Sequence, residues 1–319
     1  MNEGVVVGVD IGGTKVLAGV VDDEGRVART ALRTTPGRRV VTRRVEDALV
    51  EGIVEAAGGE PLAGVGVAAA GFVDSAGERV MFAPHLPWQG EPLKHLLEER
   101  LGCPVGLDND ANCAARAEAR FGAARGAASA LMVTMGTGIG GAVLLEGRVV
   151  RGANGMAGEF GHMQVVPDGQ ACECGRRGCW EQYSSGNALV RNVRALMVGQ
   201  PSVLSDMTDG DPDRITGPMV TIAAEQGDLV ARQAFASVGH WLGVGVANLV
   251  AALDPEVIVV GGGVSAAGDR LLEPARDALR HTLVGAAHRR IPGLVAAELG
   301  PQAGMIGAAL LVAEPQPRR

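Results

Sequence analysis

One histidine and three cysteines, His162, Cys172, Cys174 and Cys179, stand close together in this chain, with Glu159 and Glu181 on either side of them. These are four metal-ligand candidates, and Gly175 and Gly178 between them allow the tight turns that converging ligands require. Zinc takes four such ligands in structural sites and keeps an open position in catalytic ones, so a full His/Cys/Cys/Cys set reads as one structural ion. The flanking carboxylates, Glu159 and Glu181, are what such an ion would position. A disulfide framework is the poorer reading, because the chain has five cysteines in 319 residues and no export signal. Cys103 and Cys113 read as ordinary small apolar residues.

A second group of candidates lies on glycine turns. Asp10 ends an apolar run and is followed by Gly12-Gly13-Thr14-Lys15; Gly136-Thr137-Gly138 follows a similar run. The spacing Gly136-x-Gly138-x-x-Gly141 formally matches a dinucleotide fingerprint, but that motif needs a helix next, and β-type residues follow here. The first turn lacks the glycine spacing and helix of a Walker loop. Both turns can instead direct backbone N–H groups at phosphate oxygens, with Thr14, Lys15 and Thr137 as further donors. Lys15 stands out because the only lysines are Lys15 and Lys94. Asp10, at the strand end beside the first turn, suits Mg²⁺ held directly or through water. Asp110 has two readings. Just before Ala111 it suits a helix N-cap, but Asp108, Asn109 and Asn112 crowd the same strand-to-helix corner, where ligands bind in open α/β sheets.

The elements that must carry these residues alternate in type. Strands are expected at Val5–Asp10, Val16–Val21 and near Val27–Leu32, then an amphipathic helix over Val45–Ala57, a strand over Gly64–Ala70 and a helix over Leu93–Leu101. Val105–Leu107 and Ala111–Phe121 form the next strand and helix. The opening pattern recurs as strand Leu131–Met135, turn Gly136–Gly141 and strand Ala142–Leu145, which points to an internal duplication of α/β halves. Gly199–Pro218 reads as a mobile surface loop. Helices are expected over Val220–Glu225, Asp228–Leu253 and Met305–Val312, with a buried strand Val257–Val260 leading into Gly261-Gly262-Gly263.

Composition narrows the class. A chain of this length with 47% hydrophobic residues exceeds the size at which single cores stop growing, roughly 250–300 residues, so two domains are expected. The formal charge of -7 with scattered basic residues disfavours nucleic acid. The arginines near 38–44 read as a solvated face. No basic, apolar leader opens the chain, and Leu242–Leu253 is too short to cross a bilayer, so a cytoplasmic protein is expected.

Asp10-Ile11-Gly12-Gly13-Thr14-Lys15, Asn109-Asp110-Ala111-Asn112, Glu159-x-x-His162 and Cys172-x-Cys174-x-x-x-x-Cys179-x-Glu181 resemble, in that order, the ROK-family sugar kinases. The likeness runs from residue 4 to about 313. Ala69-Ala70-Gly71-Phe72-Val73, Trp180-Glu181-Gln182-Tyr183-Ser184-Ser185-Gly186 and Val259-Val260-Gly261-Gly262-Gly263 resemble the actinobacterial glucokinase branch in particular. The resemblance implies an α/β, actin-like (ribonuclease-H-like) two-domain fold with an interdomain cleft. It divides the chain into a smaller domain, 1–121 plus 304–319, and a larger one, 122–303, carrying the zinc segment. It implies that Asp110 is the catalytic base, that Gly71, Asn109, Asp110, Glu159, His162 and Glu181 hold the sugar, and that His162, Cys172, Cys174 and Cys179 bind zinc. ATP, with Mg²⁺, would lie against Asp10, Gly12 to Lys15 and Gly136 to Gly138, with adenosine near Gly262. The implied activity is ATP-dependent phosphorylation of glucose at its 6-hydroxyl by a homodimer or homotetramer in carbohydrate metabolism.

Two departures bear on the substrate. His85 stands where many family members have Asn, so N-acetylmannosamine or N-acetylglucosamine kinase is the alternative enzyme. The family also contains repressors, which carry a helix-turn-helix domain before the first strand; here that strand begins near residue 4, leaving no room for one. A non-catalytic sugar sensor is disfavoured by the joint presence of Asp10, Lys15 and Asp110.

Overall fold

The computed structural model describes residues 4–313; the outermost residues of the expected smaller domain, 1–3 and 314–319, lie outside them. The chain forms two compact units. One comprises Met1–Met132, Ala142–Gly158 and Glu298–Arg319, the other Val133–Gly141 and Glu159–Ala297.

In the first unit the strands are β1 (Val5–Ile11), β2 (Lys15–Val21), β3 (Val27–Thr34), β4 (Leu62–Ala69), the short hairpin pair β5 (Phe72–Val73) and β6 (Val80–Phe82), and β7 (Val105–Asn109). The helices among them are α1 (Thr42–Ala57), α2 (Leu93–Leu101) and α3 (Asp110–Phe121). The main sheet has the order β3-β2-β1-β4-β7, with β1 antiparallel to β2 and parallel to β4. The two faces of β1 and β4 are built differently. Val7, Val9, Ile11, Val65 and Val67 point to one side and form a core with Val45, Leu49 and Ile53 of α1 and Leu93 and Leu97 of α2. The alternate positions Gly8 and Gly66 face a late helix, Ala303–Ala313, whose backbone lies so close that a Cβ at either would collide with the carbonyl of Met305 or Ala308. Period-two glycine in a strand therefore lets a helix seat directly on the sheet.

Beyond residue 128 the strands are β8 (Ser129–Met135), β9 (Ile139–Leu145), β10 (Arg148–Val149), β11 (Val257–Gly261) and β12 (Gly293–Ala296). Their order, β10-β9-β8-β11-β12, repeats the first sheet's pattern strand for strand, as the duplicated hairpins predict. The helices are α4 (Gly186–Leu196), α5 (Val203–Met207), α6 (Gly217–Glu225), α7 (Leu229–Leu253), α8 (Asp269–Thr282) and α9, the late helix Ala303–Ala313.

Two expectations need correction here. The segment Gly199–Pro218 is not a bare loop: it contains α5 and a 3-10 turn at Pro212–Arg214, and Leu204, Thr208 and Ile215 are buried. Helix α7, with 25 residues, is also long and apolar enough to cross a membrane by length and composition. It is nevertheless a core helix of its unit. A Cβ at Gly239 or Gly243 would meet the carbonyl oxygens of Leu271 and Ala275 in α8, while Gly245 packs under the Trp180 ring. Asp228 caps its first turn by accepting from the Ala231 N–H at 2.8 Å.

Candidate functional site

In the first unit the β1–β2 hairpin turns at Gly12-Gly13-Thr14, closed by a hydrogen bond from the Gly12 N–H to the Lys15 carbonyl at 3.0 Å. Thr35 braces this tip from β3's end: its N–H donates to Thr14 O at 3.0 Å and its hydroxyl to Gly12 O at 2.8 Å. A Cβ at Gly12 would meet nothing within 4 Å, whereas one at Gly13 would lie 2.5 Å from the Cβ of His85. His85, noted in sequence only as a departure, thus lies over the hairpin tip.

Asp10 sits at the end of β1 below this turn. Burial, then the nearby charge of Asp110, push its carboxyl up to about 7, and Lys15 only partly offsets them. A carboxylate this reluctant to ionise suits a divalent cation, which would supply the missing positive charge. The sign of the stability effect follows from linkage. With the folded pKa raised from 3.8 to about 7, no penalty exists below the lower value; it grows between the two values and is complete above the upper one. In metal-free, nucleotide-free protein, Asp10→Asn should therefore raise the unfolding free energy at pH 8 by on the order of 1–4 kcal/mol, at about 1.4 kcal/mol per pKa unit, and leave it unchanged near pH 4. Thermal melts at both values check this.

At the β7–α3 corner the cap belongs to Asn109, not to Asp110 as local sequence alone suggests. The Asn109 side-chain oxygen accepts from the N–H groups of Ala111 and Asn112 at 2.8 and 3.2 Å, and its amide donates to Gly71 O at 3.0 Å. That releases Asp110, the first helical residue, from capping; its carboxyl accepts from its immediate neighbours, including the Ala111 N–H at 2.9 Å. Burial raises its pKa, with hydrogen bonds from Ala111 and Asn109 working against the rise. Asp108 is buried and ion-paired: Arg151 donates to one of its oxygens at 2.7 and 3.0 Å. Sequence gave no sign of that pair.

In the second unit the four predicted metal ligands come together, with their donor atoms all within 4.8 Å of one another. His162 Nδ1 lies 3.7 Å from Cys172 Sγ, and Cys174 Sγ lies 3.6 Å from Cys179 Sγ. A tetrahedral ion with bonds of ~2.3 Å separates its ligands by about 3.8 Å, so the spacing suits zinc and is far too long for a disulfide. Burial pushes the Cys172 thiol up to about 12, so ion entry there must displace a proton. That thiol donates to Glu181 Oε1 at 3.1 Å, and His162 Nδ1 lies 3.6 Å from the same oxygen. Glu181 is thereby tied to the cluster, and its other oxygen lies over Gly138, close to where a Cβ there would stand. His162 and Glu181 each sit on a 3-10 turn, Phe160–His162 and Trp180–Gln182, and Glu159 immediately precedes the first.

The same unit contains a cavity of about 930 Å³ beside the second hairpin, with Gly136, Thr137, Gly263 and Val264 on one side and Asn187, Arg191, Thr216 and Ile222 elsewhere in its wall. Cβ atoms at Gly136 or Gly263 would enter open space. Gly262, at φ 85°, makes the turn out of β11 against the Met135 backbone. Residues of α4 and α6 in this wall escaped the sequence reading. The Ser185 cap, which accepts from the Ala188 N–H at 3.1 Å, was the signal that could have placed α4.

Comparison with known proteins bears on this arrangement. The model of the ROK family matches residues 6–315. The chain is 43% identical to the glucokinase of Streptomyces coelicolor, over 98% of this chain and 99% of that one. A crystal structure of a ROK family glucokinase from Streptomyces griseus, in complex with glucose and AMPPNP, superposes with a TM-score of 0.88 at 44% identity, covering 97% of this chain and 99% of that one. A ROK family transcriptional regulator, a homologue of the Escherichia coli MLC protein, superposes with a TM-score of 0.86 at 26% identity, covering 97% of this chain and 78% of the regulator.

Proposed function

We propose that this chain, which belongs to the ROK family, transfers the terminal phosphoryl group of ATP to the 6-hydroxyl of glucose, yielding glucose 6-phosphate and ADP. The observation that carries this reading is the likeness to Streptomyces glucokinases over nearly the full length of both chains. Fold alone would not separate kinase from regulator, since both superpose well.

Phosphoryl transfer asks a protein chiefly to position reactants and neutralise charge. Asp110 accepts the proton of the attacking hydroxyl, and its raised pKa makes it a stronger base than an ordinary carboxylate. Gly71, Asn109, Glu159, His162 and Glu181 hold the sugar's hydroxyls. Each is a fixed donor or acceptor, so a sugar with a misplaced hydroxyl leaves a buried polar group unpaired. The backbone of Gly12 to Lys15 and of Gly136 to Gly138 receives the phosphates of ATP, with the Lys15 ammonium as counter-charge. The cavity beside Gly136 and Gly263 is large enough for adenosine and is open toward the second hairpin.

His162, Cys172, Cys174 and Cys179 would hold zinc, which would fix the segment carrying the sugar ligands rather than take part in the transfer. The His162 ring presents Nδ1 to the cysteines, which leaves Nε2 to donate to a sugar oxygen. Asp10 would hold Mg²⁺, whose charge would offset that of the phosphates. We place the enzyme in cytoplasmic carbohydrate metabolism as a homodimer or homotetramer, with neither nucleic acid nor membrane as a partner.

Coupled ADP assays over glucose, mannose, N-acetylmannosamine and N-acetylglucosamine test the assignment. Glucose should exceed both acetamido sugars in kcat/KM by roughly 100-fold or more. An acetamido sugar outperforming glucose would reassign the substrate, and ADP release indifferent to every sugar would remove the kinase reading.

A further inference from the structure

A heavily bonded buried side chain among the described residues of the first unit is one to which the mechanism above gives no task. Asp108, 2% exposed, receives four hydrogen bonds. Its Oδ1 accepts from the Asn109 N–H and the Asn112 side-chain amide, both at 2.9 Å. Its Oδ2 accepts from Arg151 Nε and Nη2 at 3.0 and 2.7 Å, and Arg116 Nη2 stands 3.8 Å away. Burying an arginine and an aspartate together costs desolvation that is recovered only with full hydrogen bonding, so a pair like this is weak evidence of stabilisation. Its position is more informative than its strength. Asp108 precedes Asn109, whose side chain caps α3 and whose neighbour is Asp110.

Arg151 is equally well placed. It opens the segment Arg151–Gly158, after which the chain leaves this unit. Gly152, Gly155 and Gly158 all have positive φ, a conformation glycine adopts without strain. Within the segment the Ala157 N–H donates to Arg151 O at 3.0 Å and the Gly155 N–H to Gly152 O at 3.4 Å, and Gly155 lies against the Val73 carbonyl.

We infer that Arg151 is a positioning residue for Asp110, acting through Asp108 and Asn109. Its guanidinium fixes the Asp108 carboxylate, Asp108 holds the Asn109 N–H and the Asn112 amide, and Asn109 sets the first turn of α3 from which Asp110 projects. Arg151 also ties that corner to the glycine-rich segment leading directly to Glu159. The inference rests on the reading of Asp110 as the base, and it adds a residue to which neither the sequence motifs nor the metal cluster draws attention.

A test should remove both members of the close pair together, leaving only the more distant Arg116 guanidinium without its partner, so the variant is Arg151→Met combined with Asp108→Asn, with Arg151→Lys alone as the conservative change. In the double variant kcat for glucose should fall roughly ten- to a hundredfold, as expected for a small displacement of a reacting group, while KM for ATP stays within about threefold. Arg151→Lys should recover most of the loss. Glu118→Gln is the control: this buried carboxylate holds the backbone N–H groups of Ala123 and Leu299 at 2.8 Å, at the far end of α3. It should lower the melting temperature and leave kcat within about twofold. A folded double variant with unchanged kcat, or a Glu118→Gln variant with an equal kcat loss, overturns the inference. Asp110→Asn run alongside separates the two claims, since retained activity there removes the base reading itself.

Discussion

Asp110→Asn should lower kcat for glucose phosphorylation by about 10²–10⁴-fold, the usual loss when a positioned general base is removed. Glucose affinity should change little, because Asn109 keeps both its cap on α3 and its bond to Gly71 when Asp110 becomes Asn. The pH profile gives a second readout. A base at Asp110 would work only when ionised, so wild-type kcat should fall as pH drops through its pKa, which burial raises. The variant should lose that limb. It should also bring the Asp10 carboxyl down from about 7, since the charge of Asp110 is one of the causes holding it there. Steady-state kinetics across pH, with a glucose titration by calorimetry, decides the matter. A variant with wild-type kcat would move the proton acceptor elsewhere.

Loss of the His162, Cys172, Cys174 and Cys179 cluster should act on the sugar rather than on the nucleotide. Cys179 is fully buried, and Cys179→Ser would replace a candidate thiolate ligand of the cluster by a poor one. Metal content should drop below one zinc per chain, and KM for glucose should rise roughly 10- to 100-fold, the range seen when support for a metal site is removed. KM for ATP should move far less, because the glycine hairpins contain none of the four ligands. The coupling runs through Cys172, which touches Glu181, and through the ring of His162. Elemental analysis paired with kinetics provides the check. Full activity at substoichiometric zinc would refute a supporting role for the metal.

What could be read before the fold depended on the range of the interaction. The cysteine spacing and the glycine turns are short-range patterns, and the four ligand atoms do meet. The repeated strand, turn, strand pattern yielded two sheets of identical order, because hairpin chemistry is local. The cap at Asp110 was misplaced by one residue, since Asn and Asp are nearly equal as caps and only the bond from Asn109 to Gly71 decides between them. Arg151 was invisible, its partner lying 43 positions away. Helix α8 went unread although Leu271, Leu272, Ala275, Ala278 and Leu279 follow a helical period, because Pro274 interrupts it as a breaker would. The segment Gly199–Pro218 is rich in Asp, Gly and Pro, and its few buried residues find their partners only in tertiary structure.

The glycine face of β1 and β4 has a consequence for the time at which the first unit can be finished. Its sheet is made early in synthesis, but the surface presented by Gly8 and Gly66 is covered by α9, and the small core of Ala68, Cys113, Ala308 and Leu311 draws on both ends of the chain. At about 5–20 residues per second, some 200 residues and roughly 10–40 s separate the making of β7 from that of α9. During that interval the sheet has one covered face and one bare one, while the whole of the second unit emerges. The strand-to-helix corner at Asp110 therefore belongs to the part of the molecule that waits longest for its last helix.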